Sequence, residues 1–163
     1  QGAFVSSCGV TEAEEIFELR AMLESYAATL CAERASAEQA AELVRLATEQ
    51  FAESQKRGSI KKIADLNARF HDLVLAAAGS DLLRASMAAL SNAPLVFQTF
   101  REYSQEDLVR SAQHHLEFAE AVEQRNPDWA ASVMRAHIFA ARTVFRKHVE
   151  TDTDADSPMS AVR

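Results

Sequence analysis

Glycine and proline are scarce in this sequence, with four glycines and three prolines among 163 residues. These two residues disfavour helix most strongly, whereas the abundant alanine, leucine and glutamate lose little free energy when they enter one. The scarcity therefore predicts an all-α protein with few interruptions. The length suits a single domain with one hydrophobic core.

Basic residues are also in deficit: seventeen lysines and arginines stand against twenty-four aspartates and glutamates, which gives a net charge of −7. Binding a phosphate backbone needs clustered cations, so this piece is not expected to bind DNA by itself. Cys8 and Cys31 lack metal-ligand spacing, and two isolated thiols without a signal peptide indicate a reducing cytoplasm. No stretch is long and apolar enough to cross a membrane.

Six helices are predicted from the spacing of apolar residues and from their terminal residues, over about residues 11–34, 36–55, 60–78, 81–103, 104–122 and 128–149. Three capping-box patterns start helices: Thr11 with Glu14, Ser36 with Gln39, and Ser104 with Asp107. Gly79 suits the position after a helix end. The apolar stripe of the first helix is expected to contain Ile16, Leu19, Leu23, Tyr26, Ala27 and Leu30.

The fourth predicted helix is apolar over much of its circumference and contains Pro94. Proline leaves a carbonyl of the preceding turn without its helical donor, so a kink is expected. A kinked and mostly buried helix suits the wall of a cavity. Gln98 and Arg101 follow the kink, and they either face this cavity or belong to an exposed polar face.

Three of the five histidines, His71, His115 and His137, fall on or beside apolar stripes of three different predicted helices. Asn67 lies one turn before His71, so the two side chains point the same way. Neutral imidazoles commonly bind borderline divalent metals, and these four residues therefore suggest a buried metal site. The alternative is a set of hydrogen-bonded core histidines, because their convergence in space is assumed.

Three imidazoles and one carboxamide carry no charge, so a bound dication would keep most of its own. Such a site should hold metal less tightly and attract anions, and a six-coordinate metal leaves positions where a small carboxylate could bind. Arg20 and Glu24 flank the apolar stripe of the first helix one turn apart. They form either a surface ion pair or part of a ligand-binding site.

At these residues the sequence resembles the FCD class, the FadR-type C-terminal ligand-binding domain of GntR-family transcriptional regulators, over about residues 14–150. Residues 18–24, Glu-Leu-Arg-Ala-Met-Leu-Glu, look like the family's first-helix motif. Residues 67–71, Asn-Ala-Arg-Phe-His, look like its Asp/Asn-x-x-Phe-His motif. Residues 78–83 are similar to its small-residue turn, and His115 and residues 134–137 to its motifs on the fifth and last helices.

The resemblance implies an antiparallel bundle of six to seven helices, a homodimer, and a divalent metal in a central cavity. It implies the metal ligands Asn67, His71, His115 and His137. Zinc is the first expectation, with nickel, manganese or iron as alternatives. Arg20 would pair with the carboxylate of an effector, and Ser111 and Gln98 complete the predicted ligand-binding residues.

The resemblance also divides the chain. Residues 1–10 look like the end of a winged helix-turn-helix wing plus a linker, residues 11–150 form the FCD domain, and the acidic residues 151–163 are a predicted disordered tail. The implied function is the effector-binding and dimerisation domain of a bacterial GntR-type regulator, with repression as the commoner case. It would sense a small organic acid, and operator DNA would be bound by an N-terminal domain missing from this sequence.

The alternative function is a metal-dependent enzyme of DinB-like type, a hydrolase or thiol transferase, which also uses three histidines. Such an enzyme needs a general base beside its metal. The apolar stripes place no carboxylate there, since Asp65 lies on a different face from Asn67 and Glu120 lies more than one turn from His115. An enzyme is therefore not predicted. A dimerisation bundle with purely structural histidines is the third alternative.

Overall fold

The computed structural model describes the backbone of residues 10–90 and 99–155 and the side chains of residues 11–90 and 99–148. The helices are α1 Val10–Arg34, α2 Ala37–Gln55, α3 Ile60–Ala78, α4 Asp81–Leu90, α5 Gln105–Glu123 and α6 Pro127–Ala155. Residues 99–102 are also helical. Within these two ranges no strand occurs, which confirms the predicted all-α fold.

Short-range hydrogen bonds start and end the helices. Ser36 and Ser104 each accept a hydrogen bond from a backbone N–H three residues later and donate their own N–H in return, so two predicted capping boxes are confirmed. The third is wrong, because α1 begins at Val10 and Thr11 lies inside the helix. Gly79 ends α3 at a φ of 63°, in the left-handed region where glycine has little steric cost.

Helix α1 is central in the bundle and packs against α3, α4, α5 and α6, whereas α2 packs against α3 and α5. Helices α2 and α5 are antiparallel, because Gln105 donates to the Ser54 carbonyl while Gln50 contacts His115. The largest fully buried apolar side chains include Phe17, Phe70, Phe118, Leu43, Leu46, Met134 and Ile138. One core therefore joins all the long helices.

The buried face of α1 differs from the predicted one. Its buried residues include Ala13, Phe17, Ala21, Glu24, Ala27, Ala28, Leu30 and Cys31. Leu19 and Tyr26 are instead 44% and 56% exposed, so the predicted stripe is wrong at these two residues. It is confirmed at Ala27 and Leu30, which are buried, and Ile16 and Leu23 are partly buried against the core. The small alanine side chains allow the neighbouring helices to approach α1 closely.

Some predictions fall on residues beyond the description. The wing remnant, the kink at Pro94 and the residues after Ala155 lie outside the described ranges, and the domain boundaries stay a prediction. Helix α6 continues five residues past position 150, into the segment predicted as a tail, since residues 151–155 contain no glycine or proline to end it. None of the described helices is long and apolar enough to cross a membrane.

Candidate metal and ligand site

Three helices bring the three histidines together in the core. His71 on α3, His115 on α5 and His137 on α6 each offer a ring nitrogen, and these nitrogens all lie within 4.8 Å of one another. His115 and His137 are buried, and the His71 side chain is 13% exposed. The convergence that the sequence could only suggest is therefore present in the fold.

The spacing of two of these nitrogens suits a metal ion. The Nε2 atoms of His71 and His137 are 3.3 Å apart. Two nitrogens bound to zinc at about 2.0–2.1 Å in a tetrahedron lie about 3.3–3.4 Å apart. The separation of this pair of nitrogens therefore suits two ligands of one ion.

Two of the rings have an acceptor at the nitrogen that faces away from this centre. His71 Nδ1 lies 2.6 Å from Glu24 Oε2, and His115 Nδ1 lies 2.5 Å from Gln50 Oε1. The hydrogen bond with Gln50 holds the ring proton of His115 on Nδ1, so Nε2 of that ring keeps its lone pair for a metal. The His71 contact is an ion-pair distance without hydrogen-bond geometry, and the Glu24 carboxylate favours the ring proton on Nδ1 through its charge. In His115 that Nε2 atom is buried and has no hydrogen-bond partner among the described residues.

The contact between His71 and His137 places one proton between the two rings. A hydrogen bond across the 3.3 Å gap requires one Nε2 atom to donate to the other, and the tautomers of the two rings decide which one donates. His137 Nδ1 is buried and without a partner in the described part of the chain. A metal bound to both Nε2 atoms would require that proton to leave its Nε2 position.

Burial favours the neutral form of two of the imidazoles, His115 and His137. It lowers the pKa of His115 and of His137 well below the usual 6.5, and neighbouring histidines lower both further. The two rings are therefore neutral near neutral pH, which is the form that binds metals. His114 is half-buried, and its ring centroid is 5.9 Å from that of His137.

The environment of Glu24 contradicts one prediction and decides between two alternatives. Burial raises the pKa of this carboxyl, but Arg20 and His71 lower it more, so its pKa lies well below the usual 4.5 and the group is ionised. The prediction that no carboxylate lies beside the histidines is therefore wrong. A surface pair is also excluded, because the Arg20 and Glu24 side chains are 13% and 4% exposed.

Asn67 lies on α3 one turn before His71, as predicted, and is 5% exposed. Its Oδ1 atom is buried and accepts no hydrogen bond from the described residues. An unsatisfied buried acceptor costs free energy, so this oxygen suits a cation as its partner. Its role as the fourth ligand stays a prediction.

A cleft of about 300 Å³, a volume that includes its opening to solvent, lies beside the histidines. Its lining includes Arg20, Asn67, Thr99, Tyr103 and His137. The residue proposed to bind a carboxylate and two of the proposed metal ligands thus face the same space.

Ser111, another predicted ligand-binding residue, is not found at this cleft. It is buried one turn before His115, its Oγ atom has no described partner, and it is not among the described residues of the lining. Gln98 lies outside the described residues, and Arg101 is exposed. Of the predicted effector contacts that the structure describes, Arg20 is the one that lines the cleft.

Gln50 was not predicted to belong to this site, and Glu24 was considered as part of a surface ion pair or a ligand-binding site but not as a partner of the histidines. The sequence carries a signal for Gln50, because it continues the stripe of Leu43, Leu46 and Ala47 on α2 as a polar residue at a buried position. Glu24 similarly falls one turn from Ala21 and Ala28 on the alanine-rich face of α1. Neither signal identifies the partner of the residue, because His115 and His71 lie on other helices.

Comparison with known proteins places the fold. The FCD domain family matches residues 15–140. Among solved structures, Streptococcus agalactiae GntR is similar, with a TM-score of 0.65 and 24% identity over 86% of this chain and 63% of that chain. The chain thus spans under two thirds of that protein, and the likeness concerns the fold. No curated protein matches the chain. Because the family match covers most of its length, the chain belongs to the FCD domain family.

Proposed function

We propose that this domain is the effector-binding and dimerisation domain of a GntR-type transcriptional regulator, and that it senses a small organic acid at a divalent metal site. The proposed ligands are Asn67, His71, His115 and His137. The observation that carries the proposal is the 3.3 Å separation of the Nε2 atoms of His71 and His137 within a cluster of three histidines. Zinc is the first expectation because the separation suits tetrahedral nitrogen ligands, and nickel, manganese and iron are alternatives.

The acid would bind between the metal site and Arg20. A bound metal supplies a positive centre that attracts an anion. The Nε atom of Arg20 donates to Glu24 at 2.7 Å, and no described residue accepts from its two terminal amino groups. A guanidinium whose amino groups have no described acceptor suits a carboxylate, and Arg20 lines the cleft beside the proposed metal ligands.

Regulation would follow from the acid's preference for one of two states of a cytoplasmic homodimer. The net charge of −7 supports operator binding through a separate domain. To control that domain, the acid must bind the DNA-competent and DNA-incompetent states with affinities that differ by about 1–3 kcal/mol. Repression of the operator is the proposed outcome in the absence of the acid.

The environment of Glu24 supports binding over turnover. This carboxylate is the one found next to the histidines, but it is paired with Arg20 and its pKa lies well below the usual range. A carboxylate that holds its negative charge so firmly is a weak general base. Glu24 is therefore better suited to orient His71 than to activate a nucleophile.

Elemental analysis of the purified domain tests the proposal, together with a thermal-shift screen of organic acids with and without a chelator. We expect about one metal ion per chain and one class of acid that raises the melting temperature when metal is present. If the domain contains no metal and added metal leaves its melting temperature unchanged, the histidines are structural and the proposal is wrong.

A further inference from the structure

Glu24 contacts a metal-ligand candidate and an effector-binding candidate at the same time. Its Oε1 atom accepts from Arg20 Nε at 2.7 Å, and its Oε2 atom lies 2.6 Å from His71 Nδ1. The residue is 3% exposed. Each oxygen thus has its own partner, and the partners come from α1 and α3.

We propose that Glu24 is a positioning residue that links metal binding at His71 to carboxylate binding at Arg20. The inference rests on the proposed function. The Glu24 carboxylate, 2.6 Å from His71 Nδ1, favours the ring proton on that nitrogen and leaves Nε2 for the metal, and it accepts a hydrogen bond that holds the guanidinium of Arg20 at the cleft. One side chain therefore sets the geometry at both sites.

Stability alone gives little reason for this arrangement, because replacing a buried ion pair with apolar residues is often neutral or stabilising. The contact with His71 supplies a functional reason. Carboxylates that accept a hydrogen bond from a metal-bound histidine orient the ring and make it a stronger ligand. The matching acceptor at His115 is the neutral side chain of Gln50, so a charged acceptor is found at His71 but not at His115.

The charges predict the sign of the coupling between metal binding and acid binding. In the absence of an acid, Arg20 offsets the negative charge of Glu24. When an anion binds Arg20, it shares that positive charge, and Glu24 exerts a stronger negative potential on His71 and on the metal. Metal and acid should therefore each tighten the binding of the other, by the same factor in both directions.

The test compares Glu24→Gln with Glu14→Gln. Glu14 is a matched control because it lies on the same helix and accepts from Arg142 Nε at 2.6 Å without contacting the three histidines. Zn²⁺ affinity is measured by competition with a chromophoric chelator, with and without acetate as the probe anion. We expect Glu24→Gln to weaken Zn²⁺ binding by about 10–100-fold and Glu14→Gln to leave it unchanged. Acetate should tighten Zn²⁺ binding in the unsubstituted protein and in Glu14→Gln but not in Glu24→Gln.

The outcomes separate this inference from the proposed function. If the unsubstituted domain binds neither Zn²⁺ nor any of the alternative metals, both are wrong. If it binds Zn²⁺ and folded Glu24→Gln binds equally well, or if acetate tightens binding equally in both, the link through Glu24 alone is wrong.

A second measurement, on the unsubstituted domain, tests the link if the Glu24→Gln variant does not fold. The imidazole ¹⁵N spectrum of the unsubstituted, metal-free domain should show His71 protonated on Nδ1, with a hydrogen-bonded proton. A His71 ring protonated on Nε2 would overturn the link without any substitution.

Discussion

The Nε2 atoms of His71 and His137 face each other at 3.3 Å, although the two residues are 66 positions apart in the chain. Of the two facing nitrogens, one must carry a proton in the metal-free protein. The pair is therefore held by one hydrogen bond without metal and would be held by two coordinate bonds with it. Metal binding should consequently stabilise the contact between α3 and α6.

Replacing His137 with alanine should abolish metal retention and lower the melting temperature of the domain. The substitution removes one proposed ligand and leaves a cavity in the core. Metal content after dialysis and thermal unfolding are the measurements. His114→Ala is the control, because His114 is outside the three-histidine cluster and should keep its metal. Unchanged metal content in His137→Ala would contradict the assignment.

Replacing Arg20 with alanine should weaken organic-acid binding while metal stays bound. Arg20 lines the cleft, and its removal takes away the cation proposed to hold the carboxylate. Metal should remain because Glu24 still contacts His71. Calorimetric titration of the metal-loaded protein with the acid identified by screening measures the effect. Equal acid affinity in the two proteins would remove Arg20 from the site.

Replacing Gln50 with leucine should destabilise the metal-free domain by about 1–3 kcal/mol, because the buried Nδ1–H of His115 loses its acceptor. Metal affinity should fall as well, since the ring is no longer held in one orientation. Denaturant unfolding and metal competition measure the two effects. Gln113→Leu, at an exposed position on the same helix as His115, is the control. If both variants behave alike, the Gln50 contact has no role in the site.

Replacing Ser111 with alanine should leave the free domain as stable as before or more stable, because the buried Oγ atom has no described partner. If Ser111 binds the effector as predicted, acid affinity should nevertheless fall. Denaturant unfolding and acid titration on one sample separate the two effects. A variant with unchanged acid affinity would remove Ser111 from the ligand-binding residues.

Cys31 should resist alkylation in the folded protein. Burial raises the pKa of its thiol from 9.0 to about 12, with a smaller opposite effect of Arg125, so little reactive thiolate forms. The folded-state pKa is the higher one, so this thiol's stability contribution is full below about pH 9 and is lost as pH rises towards 12. Peptide mass spectrometry after iodoacetamide treatment should show slow labelling of Cys31 in buffer and fast labelling in urea. Equal rates would show that the thiol is accessible.

The helix ends were predictable because their signals are local. Ser36 with Gln39 and Ser104 with Asp107 act within one turn, and Gly79 needs only its own backbone freedom. The buried face of α1 was not predictable from hydrophobicity. Alanines make up much of this face, whereas the larger and more hydrophobic side chain of Leu19 is exposed.

The candidate site was predictable in part. Periodicity placed His71, His115 and His137 on inward faces, but their convergence depends on how three helices pack, which spacing does not encode. The contact of Glu24 with His71 was missed because a charged residue one turn from an arginine is the ordinary pattern of an exposed helix. Its burial results from the close approach of α3 to α1, where His71 supplies the second partner.

Helix α1 has 25 residues, which corresponds to a rod about 37 Å long. It carries Arg20 and Glu24 near its middle and packs closely, through alanines, against four other helices. A closely packed rod resists bending, so an anion that draws Arg20 towards the cleft should displace the helix as a whole. A sub-ångström displacement of Arg20 near the middle of the helix would then become a translation of both helix ends.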